Sequence, residues 1–580
     1  MGFCWMNTAQ GLNIWLLLGT LPLALGWFLT NTYPPWLSAW LETSALTSVV
    51  LLCMAARQWV RSVAAALAPA FQPPLALLAL LVLFSLVLQL ATGVMFFSGD
   101  AVMVLAYLLA WLLAVYVGQV AAQTAAPQNL DAFWLAVLVS ALLSVGLALV
   151  QWLDVRGLNI FVLDMPTGGR PFANLGQPNN FCTLCFLGCA SLLYLQERGL
   201  VRGGPWWLAW CWLSFGMALS QSRTGWLQMV CLVLLLCWLG PRMAVRVLPR
   251  QAVAMGAVFV LWVITLPWLA DSLLITAGRT LGDQIQGGVR LPYWLSMLEA
   301  MVQRPWLGYG WLQTGLAQQI DSTSAFQNGI FEFAHNIALD LIVWTGFPLG
   351  LGIIFCCLTW GLQQFKNLNN SLSLITMLAL LGVLVHALLE YPLAYAYFLV
   401  PFGFLMGALY GLNCQFASGA VKGGQLGHRC MEWLVVFFSI LLSFVAHDYF
   451  RAESTIRDLR FESARIGPKV ESVLIPEMYL LNHLEVLMRY GYRDPEESIT
   501  KEEWQQTRLV SERFGLSFVM FRYALASGFY GDALAAQNTL AKMCRIHVPD
   551  KCAHAELMWS RWRERYPLSI GVIAFPDAYR

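Results

Sequence analysis

Apolar runs of about the length that crosses a bilayer, roughly 20 residues of helix, recur along the first three quarters of the chain, and no other feature limits the possible folds as strongly. They lie near 12–30, 36–54, 74–92, 101–118, 130–153, 177–196, 205–220, 224–240, 252–270, 336–357, 371–389, 393–412 and 431–447, thirteen in all. Inside lipid the backbone must satisfy its own hydrogen bonds, so such runs fold as helices. The expected class is all-α: a polytopic membrane protein with about 13 transmembrane helices. Composition agrees, with 59% of the 580 residues hydrophobic and 11% charged. The first run lacks a basic n-region and a small-residue cleavage site, so it reads as a retained span. A net charge of +2 carries no information about nucleic acid or acidic partners, and no nucleic acid is expected among them.

Lys and Arg in the short loops set the orientation. With the N-terminus in the cytoplasm, the inner loops hold Arg57, Arg61, Arg198, Arg202, Arg242, Arg246, Arg250, Lys366, Lys422 and Arg429. The short outer loops hold Arg156, Arg170 and Arg223, a bias of ten against three. Residues 1–447 then form a membrane domain with a long outer loop, 271–335. An odd number of spans puts residues 448–580 on the outer side, as a soluble helical domain. Within it, Phe521 to Met543 spaces small and apolar residues at helical intervals around a Gly-containing turn, like one tetratricopeptide-type hairpin. Twelve of the fourteen cysteines precede residue 450, nearly all in apolar runs as small hydrophobes. Cys544 and Cys552 stand in the tail, where an oxidising compartment permits a disulfide.

A charge at the centre of a membrane helix costs about 2.5–3.5 kcal/mol on insertion scales. Mid-span charges are nearly absent here, whereas an ion-coupled transporter places them near the midplane. Ionisable residues gather at the outer ends of the runs. That distribution suits a substrate with a lipid tail in the bilayer and a polar head outside.

Five outer features could build such a site. RPFANLGQPNNF, from Arg170, crowds Gln177, Asn179 and Asn180 at the start of a run, either to cap a helix or to bind a sugar or phosphate head group. SQSRTGW is a tight turn in which Ser222 can cap the next helix and Arg223 adds positive charge to its N-terminus, together an anion site. VRLPYWLSMLEAMVQRPWLGYGW reads as an amphipathic surface helix followed by a Gly-rich turn. Arg290 stands just before that helix, Trp294, Leu298 and Met301 lie on one face, and Glu299 and Arg304 are surface charges. His335 stands where the loop meets an apolar run; an imidazole can take a proton from a hydroxyl or hydrogen-bond a phosphate. Asn336 beside it can orient a substrate or the ring, while Asp340 is too loosely placed to pair with it. HALLEYPLAY sets His386 and Glu390 at i and i+4, on one helix face, in a supporting role.

The SRTGW turn, the R…W…RPWLGYGW loop and AHN…L…W…G, in that order, resemble the superfamily of O-antigen ligases, O-antigen polymerases and bacterial O-oligosaccharyltransferases. FANLGQPNN, HALLEYPLAY and a soluble tail after the last run resemble the protein O-oligosaccharyltransferases that glycosylate pilins and other periplasmic proteins. The resemblance runs from about residue 160 into the tail. It implies transfer of a preassembled glycan from an undecaprenyl diphosphate carrier to Ser or Thr hydroxyls, in the bacterial inner membrane and on its periplasmic face. His335 would be the catalytic residue, Arg223 and Arg290 would hold the diphosphate, and Arg170, Gln177, Asn180, Asn336, His386 and Glu390 would bind substrate or support the site. Partners would be the lipid-linked oligosaccharide, an acceptor protein and membrane lipid. No cofactor or metal is expected: the outer loops hold no acidic metal cluster, and Trp206–Trp207 is followed by Leu208, unlike the WWD motif of metal-dependent N-linked enzymes. Guanidinium groups can stabilise a departing diphosphate without a metal. The alternatives are a ligase or polymerase with a glycan acceptor, or a transporter of lipid-linked sugar, against which the depth of the polar residues argues.

Overall fold

A computed structural model of the chain describes residues 14–30, 33–63, 72–123, 128–155, 157, 161–166, 168–275, 290–320, 329–414, 424–464, 466, 473–496 and 498–576. Each of the thirteen apolar runs lies on a helix. Nine precede the long loop: α1 (Ile14–Gly26), α2 (Ala39–Val63), α3 (Pro73–Ala91), α4 (Ser98–Gln123), α5 (Gln128–Trp152), α6 (Pro178–Glu197), α7 (Gly204–Leu219), α8 (Arg223–Leu239) and α9 (Pro249–Ser272). The loop contributes α10 (Arg290–Gln303) and a short helix, α11 (Thr314–Ile320), that the sequence pattern did not announce. Then follow α12 (Ile337–Lys366), α13 (Ser371–Ala387), α14 (Ala396–Cys414) and α15 (Gly424–Ser463). Among the described residues, nine helices are long and apolar enough to cross a membrane, and α8 and α13 are shorter apolar helices. Arg156 and Lys422, two of the charges counted for orientation, lie outside the described residues.

Helix starts follow local chemistry. Proline, which needs no N–H partner in a first turn, opens α3, α6 and α9. The outer faces are those of a membrane bundle, apolar and uncovered: Val87 is 68% exposed, Trp268 71%, Phe355 69% and Trp433 74%. The centre is α6, buried from Asn179 to Leu195. Elsewhere in the bundle α4 and α14 touch backbone to backbone. Gly403, Gly407 and Gly411 recur every fourth residue along α14, and a Cβ at Gly407 would lie 1.8 Å from the Val115 carbonyl oxygen.

Two boundaries differ from the hydropathy pattern. α15 does not stop near 447 with its apolar run but continues to Ser463, carried on by a polar amphipathic segment. α12 is broken inside its run: Gly346 has φ 77° and ψ 171°, which interrupts the ladder before Pro348.

The described part of the tail carries five further helices: α16 (Asn482–Gly491), α17 (Lys501–Phe514), α18 (Ser517–Tyr530), α19 (Ala533–Ile546) and α20 (Pro549–Arg565). The expected hairpin is α18–α19, turning at Gly531 with φ 96°. Cys544 and Cys552 are joined as a disulfide that ties the end of α19 to α20. The tail is seated on the bundle. Arg513 makes two hydrogen bonds, of 2.8 and 2.9 Å, to the buried Asp100 carboxylate at the start of α4, and Gly99 N donates to Asn482 Oδ1 at 2.7 Å.

Candidate active site

The break in α12 creates the frame of the site. Carbonyls freed there need donors, and the turn after α10 supplies them: Tyr309 N donates to Val343 O at 2.8 Å and Gly310 N to Trp344 O at 3.0 Å. In return Phe347 N donates to Pro305 O at 2.8 Å. Gln89, buried near the end of α3, clamps the junction by donating to Leu307 O and Trp344 O at 2.9 and 2.7 Å and accepting from Trp311 N. The approach is so close that a Cβ at Gly346 would meet Trp306 O at 2.4 Å. The first turns of α12 are thereby pinned to α3 and to the loop.

His335 is held just ahead of those turns. Asp340 Oδ1 accepts from Ala334 N at 2.7 Å and from Thr314 Oγ1 at 3.1 Å, and Trp294 Nε1 donates to Ala334 O at 2.9 Å. With the preceding residue fixed at both its N–H and its C=O, His335 adopts φ 55°, a left-handed conformation that costs an L-residue about 1–2 kcal/mol. Asp340, set aside in the sequence as too loosely placed, therefore acts on the backbone of the His335 loop and not on its ring. Asn336 acts on the backbone of the helix that follows. Its carboxamide oxygen caps α12, accepting from Ala338 N at 3.0 Å and Leu339 N at 3.4 Å, so it is spent on the helix N-terminus.

The hub of the site is the Glu390 carboxylate. Its Oε1 accepts from Asn179 Nδ2 at 2.8 Å and from Arg290 Nη2, and its Oε2 bonds His335 Nδ1 and lies 3.4 Å from Gln177 Nε2. Burial works to raise the Glu390 pKa. The His335 hydrogen bond and the neighbouring Arg290 guanidinium outweigh it and hold the carboxyl below its usual value. The imidazole stands edge-on to Phe331 and Tyr391, ring centroids 5.4 and 4.9 Å away. Burial and the Glu390 charge push the Tyr391 phenol up to about 12, so it stays neutral beside the ring.

The remaining candidates arrange themselves around this hub. Asn179 Oδ1 accepts from Ser222 Oγ at 2.7 Å, which brings the SQSRTGW turn, and with it Arg223 as first residue of α8, to the same end of the bundle. Ser222 does not cap α8 with its side chain, because the hydroxyl is committed to Asn179. Arg170 Nη1 reaches Gln221 O at 3.3 Å and so lies against that turn. Asn180 and His386 sit one layer deeper, both fully buried: Asn180 Nδ2 donates to Tyr397 OH at 3.1 Å, and His386 Nδ1 pairs with Thr183 Oγ1 at 2.9 Å. His386 and Glu390 do not share a helix face. α13 ends at Ala387, and Glu390 closes a turn back to His386 O at 2.8 Å before its side chain leaves toward His335. Arg290 is the first residue of α10, and that helix buries Tyr293, Met297, Ala300 and Met301. Its exposed apolar stripe is Leu291, Leu295, Leu298 and Val302, not Trp294, Leu298 and Met301. Sequence reasoning missed Asn179 as a direct ligand of the hub, and it missed Glu390 as the hub itself. The available signal was charge balance, since Glu390 is the one acid in HALLEYPLAY and must answer to nearby cations.

Chemically, the arrangement is an imidazole and a guanidinium held side by side on one carboxylate. A carboxylate that accepts from Nδ1–H fixes the imidazole tautomer and leaves Nε2 to take a proton from a hydroxyl. Nε2 has no hydrogen-bond partner among the described residues, and the His335 side chain is 18% exposed, open to a reactant. Arg290 keeps further N–H donors beyond the one given to Glu390, suited to anionic oxygens.

Residues 208–354 match the family described as O-antigen ligase, and residues 375–560 the family described as virulence factor membrane-bound polymerase, C-terminal. A general O-oligosaccharyltransferase of Acinetobacter baylyi is 28% identical over 562 residues, covering 94% of this chain and 95% of that protein. A ComP-specific O-oligosaccharyltransferase of the same organism is 32% identical over 260 residues, 44% of this chain and 47% of that protein.

Proposed function

We infer that this chain, a member of the O-antigen ligase superfamily, is an O-oligosaccharyltransferase, an enzyme that transfers an oligosaccharide to proteins. The observation that carries the site assignment is the shared Glu390 carboxylate, which holds a candidate base, His335, and a candidate phosphate ligand, Arg290, on one pair of oxygens. The donor is a preassembled glycan on undecaprenyl diphosphate, and the acceptor is a Ser or Thr hydroxyl of a pilin or another periplasmic protein. His335 Nε2 takes the hydroxyl proton while the oxygen attacks the anomeric carbon. A new C–O bond forms as the bond to the diphosphate breaks, with inversion, and Glu390 faces the imidazolium that results. Arg223 and Arg290 hold the departing diphosphate, whose charge grows as the bond breaks. Arg170 and Gln177 line the approach; Asn180 and His386 support it from beneath.

The protein resides in the inner membrane of a bacterium, with thirteen spans and with the site and tail facing the periplasm. The ten-to-three bias of loop charges supports that orientation, and the Cys544–Cys552 disulfide fits an oxidising compartment.

A second reading, in which the acceptor is a glycan, is favoured by the description of the family matched over residues 375–560. One experiment addresses both. Membranes containing the wild-type enzyme or His335→Ala are given lipid-linked oligosaccharide and a periplasmic extract, and products are read by intact mass. A glycan-sized mass gain on a protein with wild-type enzyme only, at equal enzyme levels, is expected. Transfer by His335→Ala refutes the assignment of the base, and elongation of a glycan with no protein product supports the second reading.

A further inference from the structure

The 329–335 segment that ends on His335 is held by α11, and α11 is held by the tail. Gln318, 5% exposed, accepts from Phe331 N at 2.9 Å and donates to Gly329 O at 3.0 Å. Thr314 on the same helix reaches Asp340, which holds Ala334 N. α11 thus grips the segment at both ends. On its other side, Gln319 Nε2 donates to Glu512 O at the end of α17 at 2.7 Å, and Arg545 Nη2 at the end of α19 donates to Gln319 O at 2.9 Å. The next residue, Ile546, accepts from Gly329 N at 2.9 Å. Arg545 directly follows Cys544, whose disulfide to Cys552 fixes the corner between α19 and α20 from which these last two contacts are made.

We propose that the tail is part of the catalytic scaffold: through α11 it sets the position of His335, with Gln318 and Arg545 as positioning residues and the Cys544–Cys552 disulfide fixing the corner from which Arg545 reaches. The argument is one of continuous short contacts. From the disulfide to the His335 backbone the path crosses Arg545, Gln319, Gln318 and Phe331, and it is a path of buried or half-buried hydrogen bonds. The Arg513–Asp100 pair and the Gly99–Asn482 contact seat the tail independently, so loosening the α19 corner releases the segment without releasing the tail. The proposal rests on the reading of His335 given above.

The test uses the full-length enzyme in liposomes, an undecaprenyl-diphosphate-linked disaccharide and the acceptor proteins of a periplasmic extract. Gln318→Leu is expected to lower kcat about tenfold or more, since a displacement of about 1 Å costs up to 10²-fold. The KM for donor should stay within about twofold, because the arginines are untouched. Gln318→Glu keeps an acceptor for Phe331 N and should recover much of the loss, which a general packing defect does not predict. As a second measurement, wild-type enzyme is treated with dithiothreitol. The reagent's two thiols close to a cyclic disulfide while Cys544 and Cys552 gain two electrons and two protons as free thiols. kcat should fall by about tenfold and return on reoxidation, and Cys544→Ser/Cys552→Ser should be slow and insensitive to the reagent. A wild-type kcat in folded Gln318→Leu, or in the reduced enzyme, overturns the proposal. If Gln318→Leu does not accumulate, the reduction experiment decides alone. His335→Ala is run in parallel: activity there overturns the underlying reading, whereas an inactive His335→Ala beside unaffected Gln318→Leu and reduced enzyme overturns only the role of the tail.

Discussion

Glu390→Gln is the sharpest single probe of the site. The substitution is isosteric, so its effect follows from hydrogen-bond polarity. Oε1 receives two donors, Asn179 Nδ2 and Arg290 Nη2, and an amide NH2 cannot replace an oxygen there. The glutamine oxygen must therefore take the Oε1 position, which turns its NH2 toward His335 Nδ1. A donor at that point requires Nδ1 to be the acceptor and moves the imidazole proton to Nε2, where the nitrogen can no longer take one from a hydroxyl. A wrong tautomer of this kind costs on the order of 10⁴-fold in serine proteases, or roughly 5 kcal/mol of transition-state stabilisation. We expect a loss of 10³-fold or more in kcat. The folding penalty is smaller, because Arg290 is 24% exposed at its side chain and retains contact with water; about 2 kcal/mol is a fair scale after that discount. The assay is initial-rate transfer with enzyme quantified in each membrane preparation, alongside thermal denaturation. A Glu390→Gln enzyme within tenfold of the wild-type kcat would refute the tautomer argument, as would a loss of rate that only follows the loss of folded protein.

Four further outcomes follow from the same geometry. The Glu390 carboxyl is held below its usual 4.5, so the stabilisation it gives is fully present above that pH and is lost only as pH falls through the lowered value; wild-type thermal stability should drop more steeply than that of Glu390→Gln below pH 4.5. Arg223→Lys should lose most activity at unchanged membrane levels, since a point charge cannot reproduce a bidentate grip on diphosphate, and near-normal transfer would remove Arg223 from the leaving-group site. Asp340→Asn keeps the oxygen that Ala334 N needs and should be mild, while Asp340→Ala leaves that buried donor unmet at about 1–3 kcal/mol and should lower both melting temperature and kcat; equal effects of the two would contradict the loop-anchoring role. Gly346→Ala combines a positive φ with a Cβ 2.4 Å from Trp306 O, so little folded protein should survive detergent extraction.

Every apolar run picked out by hydropathy lies on a helix, and among the described residues nine helices are long and apolar enough to cross a membrane, because such a helix shows itself by length and composition without any partner. Hydropathy could not show the break at Gly346, since one glycine in an apolar run is unremarkable until another backbone approaches it. The site was legible by residue and not by role. His335, Arg290 and Glu390 stood out as ionisable groups at helix ends, yet their convergence on one carboxylate depends on where α10 and the turn after α13 fall in space. His386 was misread for a definite reason: the i, i+4 spacing implies a shared face only while a helix continues, and α13 ends one residue after it. Asp340 and Gln318 act through backbone amides four or more residues away, and no spacing rule reports such contacts.

The glycine stripe of α14 makes the site mechanically asymmetric. Glu390 lies six residues before α14, and at Gly407 α14 meets α4 backbone to backbone, with no side chain between them that could swing aside. That half of the site is a fixed jaw. Arg290 and His335 belong to the other half, carried by α10 and the 329–335 segment and held by side-chain hydrogen bonds that can be exchanged singly. A perturbation is therefore felt unequally by the two halves: on the α14 side no side chain at Gly407 can absorb it, whereas on the loop side it can be met one hydrogen bond at a time.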